Sequence, residues 1–165
     1  MIVVTDTSVV LNLCWLHREG LLPAIYAKVL APGEVLREFK RNAATEPRFT
    51  GLHFPEFILV AEPTVIPALL ATNHDLDPGE VAALALALER GIADVLIDEQ
   101  SGRSAALALG LNVSGLLAVL IEAKQRGLIP ELRPLLDDLI LGARFWIGAD
   151  LRQRVLRRAG ENPDI

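Results

Sequence analysis

The hydrophobic residues of this chain occur in two alternating patterns, short continuous runs and longer stretches with helical spacing. Residues 2–5 and 95–97 are the clearest runs, and they lead directly into Asp6 and Asp98. Such runs are typical of strands in a parallel sheet, because these strands are covered on both faces. Further short strands are predicted at residues 29–31, 57–60 and 111–113.

Helical patterns lie between these runs. Asp77-Pro78-Gly79-Glu80 opens the clearest helix, which we expect to end at Gly91. Other helices are predicted at residues 7–20, 21–27, 33–41, 63–70, 101–109 and 116–126, with an irregular loop at 42–56. The part from residue 130 to 159 is expected to be mostly helical, with a short strand at 145–147. The alternation of strands and helices predicts an α/β fold with a mostly parallel sheet.

Composition narrows the class of protein. With 165 residues, 52% of them hydrophobic and 22% charged, the chain is expected to be one globular domain. Cys14 is the one cysteine, which excludes an internal disulfide and a zinc site with several thiolates. No signal peptide is visible, and the longest apolar stretch, residues 81–88, is too short to span a bilayer. We therefore expect a cytoplasmic protein that does not associate with a membrane.

The charge of the chain is unevenly distributed. A net charge of −5 argues mildly against non-specific binding of nucleic acid, which depends on neutralisation of phosphates by Lys and Arg. Basic residues nevertheless cluster on two predicted helices. One cluster contains Arg37, Lys40 and Arg41, and the other contains Arg152, Arg154, Arg157 and Arg158.

Four acids are candidates for a metal site, although each has a simpler interpretation. Asp6 and Asp98 follow strands and equally suit helix N-caps. Glu80 fits a capping box, and Glu38 fits a solvated helix face. Taken alone, each of these two acids is better explained by that structural role than by metal binding. Together, two acids at strand ends and two on helices are what Mg²⁺ or Mn²⁺ requires, because these ions prefer carboxylate and water oxygens. Glu99 lies beside Asp98, and which of the two would bind metal stays open.

Other polar residues are weaker candidates. Ser8 and Asn12 lie one turn apart after Asp6 and would hydrogen-bond the acids or water, or simply serve the helix. Arg103 would bind a phosphate or pair with an acid. No Gly-rich phosphate loop or nucleophile elbow is present. A phosphatase of the Asp-x-Asp type is disfavoured, because Ser8 stands where the second acid would be needed.

Several short stretches, in order along residues 1 to 129, resemble PIN domains, and in particular the PIN-like branch related to VapC-type toxins. They are Ile2-Val3-Val4-Thr5-Asp6-Thr7-Ser8, Pro32-x-x-Val35-x-x-Glu38, Leu76-Asp77-x-Gly79-Glu80, Ile97-Asp98-Glu99-x-x-x-Arg103, Gly110-Leu111-x-Val113-x-Gly115 and Ala123-Lys124-x-x-Gly127-Leu128-Ile129. The resemblance implies a three-layer α/β/α sandwich around a mostly parallel sheet. It also implies a single domain with a core at residues 1–129 and a mostly helical extension at 130–165.

The resemblance further implies Mg²⁺- or Mn²⁺-dependent ribonuclease activity. Asp6, Glu38, Glu80 and Asp98 match the acidic quartet by position, with Asp6, Glu80 and Asp98 as expected metal ligands. Arg103 and the arginines at 152–158 would hold the RNA backbone. The expected role is the toxin of a toxin–antitoxin pair, with an RNA substrate, an antitoxin partner and a homodimeric state. The alternative is a catalytically weak or inactive PIN-like protein that acts through protein–protein interaction.

Overall fold

The computed structural model describes residues 1–163 and contains one five-stranded sheet. Its strands are β1 (Ile2–Thr5), β2 (Lys28–Ala31), β3 (Ile58–Val60), β4 (Asp94–Leu96) and β5 (Asn112–Ser114). They lie in the order β3-β2-β1-β4-β5, and every neighbouring pair is parallel. The predicted α/β fold is confirmed, and the sheet is parallel throughout.

Helices connect the strands and continue beyond β5. They are α1 (Thr7–Trp15), α2 (Leu21–Ile25), α3 (Gly33–Thr45), α4 (Ala68–Ala71), α5 (Pro78–Arg90), α6 (Gln100–Ala108), α7 (Leu116–Gln125), α8 (Arg133–Leu141) and α9 (Ala149–Arg158), with a short 3₁₀ helix at Pro47–Phe49 after α3. As predicted, α5 begins with a capping box and ends at Gly91, whose φ of 63° is left-handed. Glycine adopts this conformation without steric conflict, which ends the helix.

Both faces of the sheet are covered by helices. Side chains alternate across a strand, so Val3 joins one hydrophobic cluster and Val4 joins the other. The Val3 cluster contains buried residues of α1, α7, α8 and α9, whereas the Val4 cluster contains those of α5 and Ala106 of α6. The helices after residue 130 therefore share a hydrophobic core with α1 and α7. This arrangement is the three-layer α/β/α sandwich that was predicted.

Two predicted elements are wrong. The helix expected at 63–70 is only α4, because the proline ring at Pro67 disfavours helical geometry in the residue before it. The strand expected at 145–147 is an irregular connection between α8 and α9, and Arg144 has a positive φ of 56°, which interrupts extended backbone. Helix α3 also runs four residues beyond its predicted end, into the stretch expected to be a loop.

The strand order places the central crevice of the sheet between β1 and β4. The chain builds β2 and β3 on one side of β1 and then crosses to build β4 and β5 on the other side. In open α/β sheets, ligands bind at this switch point, beyond the carboxyl ends of the strands. Asp6 follows β1 there, and Asp98 lies two residues after β4. In the described part of the chain, no helix has the length and apolar character to cross a membrane.

Candidate active site

The structure brings the two strand-end acids together. The backbone N–H of Asp6 donates to the carbonyl oxygen of Leu96 at 2.9 Å, which continues the pairing of β1 with β4. The backbone N–H of Asp98 in turn donates to Oδ2 of Asp6 at 3.4 Å. The adjacency of Asp6 and Asp98 is thus a consequence of the strand order.

The two helix-borne acids lie at the same end of the sheet. Glu38 accepts hydrogen bonds from the hydroxyl of Thr7 at 2.6 Å and from the backbone N–H of Gly79 at 3.0 Å, so its carboxylate joins α3 to α1 and α5. Glu80 is only 3% exposed and accepts from the backbone N–H of Asp77 at 3.0 Å. Asp77 completes the capping box by accepting from the N–H of Glu80. Glu80 therefore caps a helix and lies in the acidic group at once.

Each of the four carboxylates accepts a hydrogen bond at the start of a helix. Asp6 Oδ1 caps α1 by accepting from the N–H of Val9 at 3.1 Å, and Asp98 Oδ1 accepts from the N–H of Leu116, the first residue of α7, at 2.9 Å. Glu38 and Glu80 accept from the first turn and the N-cap of α5. The positive ends of three helix dipoles therefore offset part of the negative charge.

Three glycines make room for three of the carboxylates. A Cβ atom on Gly79 would lie 2.5 Å from Oε2 of Glu38. The corresponding atom on Gly102 would lie 2.7 Å from Oε1 of Glu80, and on Gly115 it would lie 2.3 Å from Oδ1 of Asp98. These distances are far below van der Waals contact, so any larger residue must displace a carboxylate.

Burial and mutual repulsion favour the protonated forms of these acids. Burial raises the pKa of Asp6 well above its usual range, and the neighbouring charge of Asp98 adds to the effect. Burial raises the pKa of Glu80 to about 7 and that of Asp98 to about 6. It also raises the pKa of Glu38. Acids with such shifted values at one end of a sheet are typical of a functional site, where a cation would favour the charged forms.

These shifts predict how stability depends on pH in the absence of metal. When folding raises the pKa of a carboxyl group, the protonated group favours the folded state. This contribution is complete below the pKa of the group in the unfolded chain, and it is lost as the pH rises through its pKa in the folded protein. For Glu80 the loss spans about pH 4.5, its ordinary pKa, to about pH 7. We therefore expect the melting temperature in EDTA to fall across this range, and to fall less in Glu80→Gln than in the exposed control Glu131→Gln. Identical pH profiles for these two variants would contradict the prediction.

A cavity of about 370 Å³ opens over the acids. It is lined by Asp6, Glu38 and Glu80, together with Asp77 and the exposed Glu99. Asp98 connects to the cavity through its hydrogen bond to Asp6. We call this space the acidic cavity.

The supporting residues lie at different places around the acidic cavity. Ser8 lines the acidic cavity, but the side-chain amide of Asn12 donates to the backbone carbonyl of Ser8 rather than to an acid. Nη1 of Arg103 donates to the carbonyl of Ile97 at 3.0 Å, and its charge lowers the pKa of Asp98 against the stronger effect of burial. Arg103 thus supports the Asp98 turn.

The arginines of α9 lie outside the acidic cavity. Arg152 pairs with Asp137 at 2.8 Å. Arg158 lines a separate cavity together with Met1, Asp94 and Ser114. Within the described residues, neither these two nor Arg154 and Arg157 line the acidic cavity.

Sequence reasoning missed several residues at the site. Thr7 was predicted only to start a helix, but its hydroxyl also donates to the Glu38 carboxylate. The run of polar residues Asp6-Thr7-Ser8 was the sequence feature that could have indicated this role. Arg41, Asn42 and Arg48 also line the acidic cavity. Asn42 and Arg48 lie in the stretch expected to be an irregular loop, so the local pattern contained no signal for them.

The chemistry of the residues fits a hard divalent cation. In residues 1–163, no group of three or more His, Cys, Asp or Glu side chains already has the arrangement to hold a metal ion. Three buried side-chain oxygens in the same part of the chain have no hydrogen-bond partner: Oε1 of Glu80 and Oδ2 of Asp98 belong to the acidic group, and Oε2 of Glu19 lies outside it. Buried carboxylate oxygens without partners are unfavourable and need a cation or a proton. The donor set therefore suits Mg²⁺ or Mn²⁺.

Comparison with known proteins agrees with this geometry. The DUF3368 family model, a PIN domain, matches residues 2–161, which is nearly the whole chain. A comparison with curated proteins found no match. PIN domains are generally nucleases and typically use divalent metals. The match, the parallel α/β/α sandwich and the acids at its switch point lead to one conclusion: this chain belongs to the PIN domain family.

Proposed function

We propose that the protein is a divalent-metal-dependent ribonuclease that hydrolyses phosphodiester bonds of RNA. One observation carries the proposal: the carboxylates of Asp6, Glu38 and Glu80 line one cavity at the switch point, next to Asp98. In the described part of the chain, Glu80 and Asp98 each have a buried oxygen without a partner. The charged form of such a site is costly unless it binds cations. PIN domains are generally nucleases, which agrees with such a site.

Specific roles follow for the four acids. Asp6, Glu80 and Asp98 would hold Mg²⁺ or Mn²⁺, which in such sites lowers the pKa of a water and offsets charge on the leaving oxygen. Glu38 is fixed by Thr7 and Gly79, so it would orient the attacking water.

The biological setting is a further part of the proposal. The sequence resemblance to VapC-type toxins supports a toxin of a toxin–antitoxin pair, acting in the cytoplasm as a homodimer that an antitoxin protein inhibits. Co-expression with a neighbouring gene product, followed by light scattering of the purified material, would test the dimer and the partner together. A monomer that forms no complex would contradict this part without affecting the ribonuclease.

A second function has one observation in its favour. Because no three potential ligands in residues 1–163 are already arranged around one point, the chain would also suit a PIN-like protein that acts only through protein–protein interaction. Such a protein would not need to bind metal. The two functions are therefore separated by a measurement of metal binding.

Metal removal is the direct experiment. We expect cleavage of a mixed single-stranded RNA to stop in EDTA and to return with excess Mn²⁺. We also expect Mn²⁺ at 100 times its dissociation constant to stabilise the fold by about 2.7 kcal/mol, or roughly 5–10 °C in melting temperature. The readouts are gel analysis of labelled RNA and thermal unfolding. No cleavage and no thermal shift at millimolar Mn²⁺ would favour the interaction protein.

A further inference from the structure

One wall of the acidic cavity is basic. Among the described residues that line this cavity, the two with cationic side chains are Arg41 and Arg48. Helix α3 places Glu38, Arg41 and Asn42 on one face, because residues three and four positions apart are neighbours on a helix. The side-chain amide of Asn42 donates to the backbone carbonyl of Glu38 at 2.8 Å. The same helix therefore presents an acid and an arginine to one space.

Arg48 is held in position by two contacts. Its guanidinium carbon lies 4.7 Å from the ring centroid of Phe49, a buried residue that also lines the cavity. Its Nη1 donates to the backbone carbonyl of Ala143 at 2.6 Å. A guanidinium has five N–H donors in a planar fork, so the bond to Ala143 leaves donors for an anion. The fixed guanidinium loses little conformational freedom on binding a phosphate.

Arg41 is less restrained. Its side chain is 64% exposed, and Nη2 lies 3.7 Å from Oε1 of Glu34. Exposed ion pairs of this kind contribute little to stability. The Arg41 side chain can therefore exchange Glu34 for a phosphate without destabilising the fold.

The charge of the acidic cavity makes these two arginines necessary for an anionic substrate. Carboxylates repel phosphate, so a phosphodiester needs cationic partners besides any bound metal. Base-independent affinity for nucleic acid depends on Lys and Arg contacts to phosphates. Within residues 1–163, none of the α9 arginines lines the acidic cavity, and Arg158 lines a separate one.

We propose that Arg41 and Arg48 form a phosphate-binding subsite for single-stranded RNA next to the acidic carboxylates. This inference rests on the proposed ribonuclease function and adds the path of the substrate. The RNA backbone crosses the end of α3 and the 3₁₀ helix, and the α9 arginines take no part. Single-stranded RNA suits this position, because its backbone and unstacked bases are accessible to protein side chains.

The test measures binding of a fluorescein-labelled single-stranded RNA in EDTA, where no cleavage interferes. Arg41→Gln and Arg48→Gln should each weaken binding several-fold and reduce the slope of log affinity against log salt by about 0.7, the value for one phosphate contact on a single strand. Arg48→Lys should restore the salt slope, because it keeps the charge. Melting temperatures confirm that each variant folds. Arg90→Gln, at the far end of α5, is the matched control and should bind like wild type.

The outcomes separate this inference from the proposed function. Unchanged affinity and salt slope in both Arg41→Gln and Arg48→Gln overturn the subsite. An equal or larger loss in Arg154→Gln overturns it too, because RNA would then bind on α9. If Arg41→Gln and Arg48→Gln weaken binding but wild type cleaves no RNA with Mn²⁺, the subsite stands and the ribonuclease proposal fails.

Discussion

Replacement of Asp6 by Asn is expected to reduce Mn²⁺-dependent RNA cleavage by about 10²- to 10³-fold. Asp6 is 4% exposed and lies between the ends of β1 and β4, in contact with the backbone of Asp98. Asparagine removes the negative charge that a cation requires, and loss of metal charge stabilisation in the transition state amounts to roughly 3–4 kcal/mol. The measurement is the initial rate of cleavage at saturating Mn²⁺.

The fold should survive this change, which makes the result interpretable. The amide oxygen of Asn still accepts from the N–H of Val9 and caps α1. The Asn side chain leaves no acceptor for the backbone N–H of Asp98, whose bond to Asp6 is long at 3.4 Å. Removal of a buried carboxylate with a strongly raised pKa also relieves repulsion by Asp98 and offsets this loss, so the metal-free melting temperature should stay close to that of wild type. The exposed Asp150→Asn is the control and should cleave like wild type. Equal rates for wild type and Asp6→Asn would remove the ribonuclease proposal.

Replacement of Gly115 by Ala should reduce cleavage by about 10- to 100-fold while the protein stays folded. Gly115 has an extended backbone, with φ of −124° and ψ of −170°, which alanine adopts without strain. The added methyl would lie 2.3 Å from Oδ1 of Asp98 and 3.2 Å from Nη1 of Arg103. The carboxylate must therefore leave the N–H of Leu116. A displacement of about 1 Å in a catalytic group lowers rates on this scale.

A matched glycine is available as the control for this experiment. Gly20 also has a negative φ, −62°, and a Cβ atom there meets nothing within 4 Å. Gly20→Ala should cleave RNA at the wild-type rate. The Mn²⁺-induced thermal shift gives a second readout, which should shrink in Gly115→Ala alone. Wild-type activity and thermal shift in Gly115→Ala would show that Asp98 is not required in its observed position.

Local sequence patterns predicted an element correctly where all the residues that form and end it lie in one short segment. The capping box and the glycine stop of α5 are of this kind, because donor, acceptor and turn residue lie within the same helix. The helix predicted at 63–70 failed because the restriction imposed by Pro67 outweighed the apolar pattern. The strand predicted at 145–147 failed because strand formation needs a neighbouring strand, which no local pattern specifies.

For Asp6 and Glu80, a helix-capping role and a position at the acidic cavity are compatible in the structure. Asp6 caps α1 and Glu80 completes a capping box, as their structural interpretation predicted. Both residues also line the acidic cavity. Glu38 was favoured as a solvated residue, but it is partly buried and bound by Thr7 and Gly79. A carboxylate has two oxygens with several lone pairs, so one interaction does not exclude another.

The sequence by itself determined the α/β class, the two strands that end in acids and the resemblance to PIN domains. These properties follow from local hydrophobic periodicity and from short motifs. Tertiary structure alone decided that β1 and β4 are neighbours, which brings Asp6 next to Asp98. It also explains why Gly79, Gly102 and Gly115 are glycines, since a Cβ atom at each would collide with a carboxylate. The basic wall of the cavity comes from α3 and the 3₁₀ helix rather than from α9. The physical reason is that strand order and contacts between distant segments depend on packing of the whole chain, which no local pattern contains.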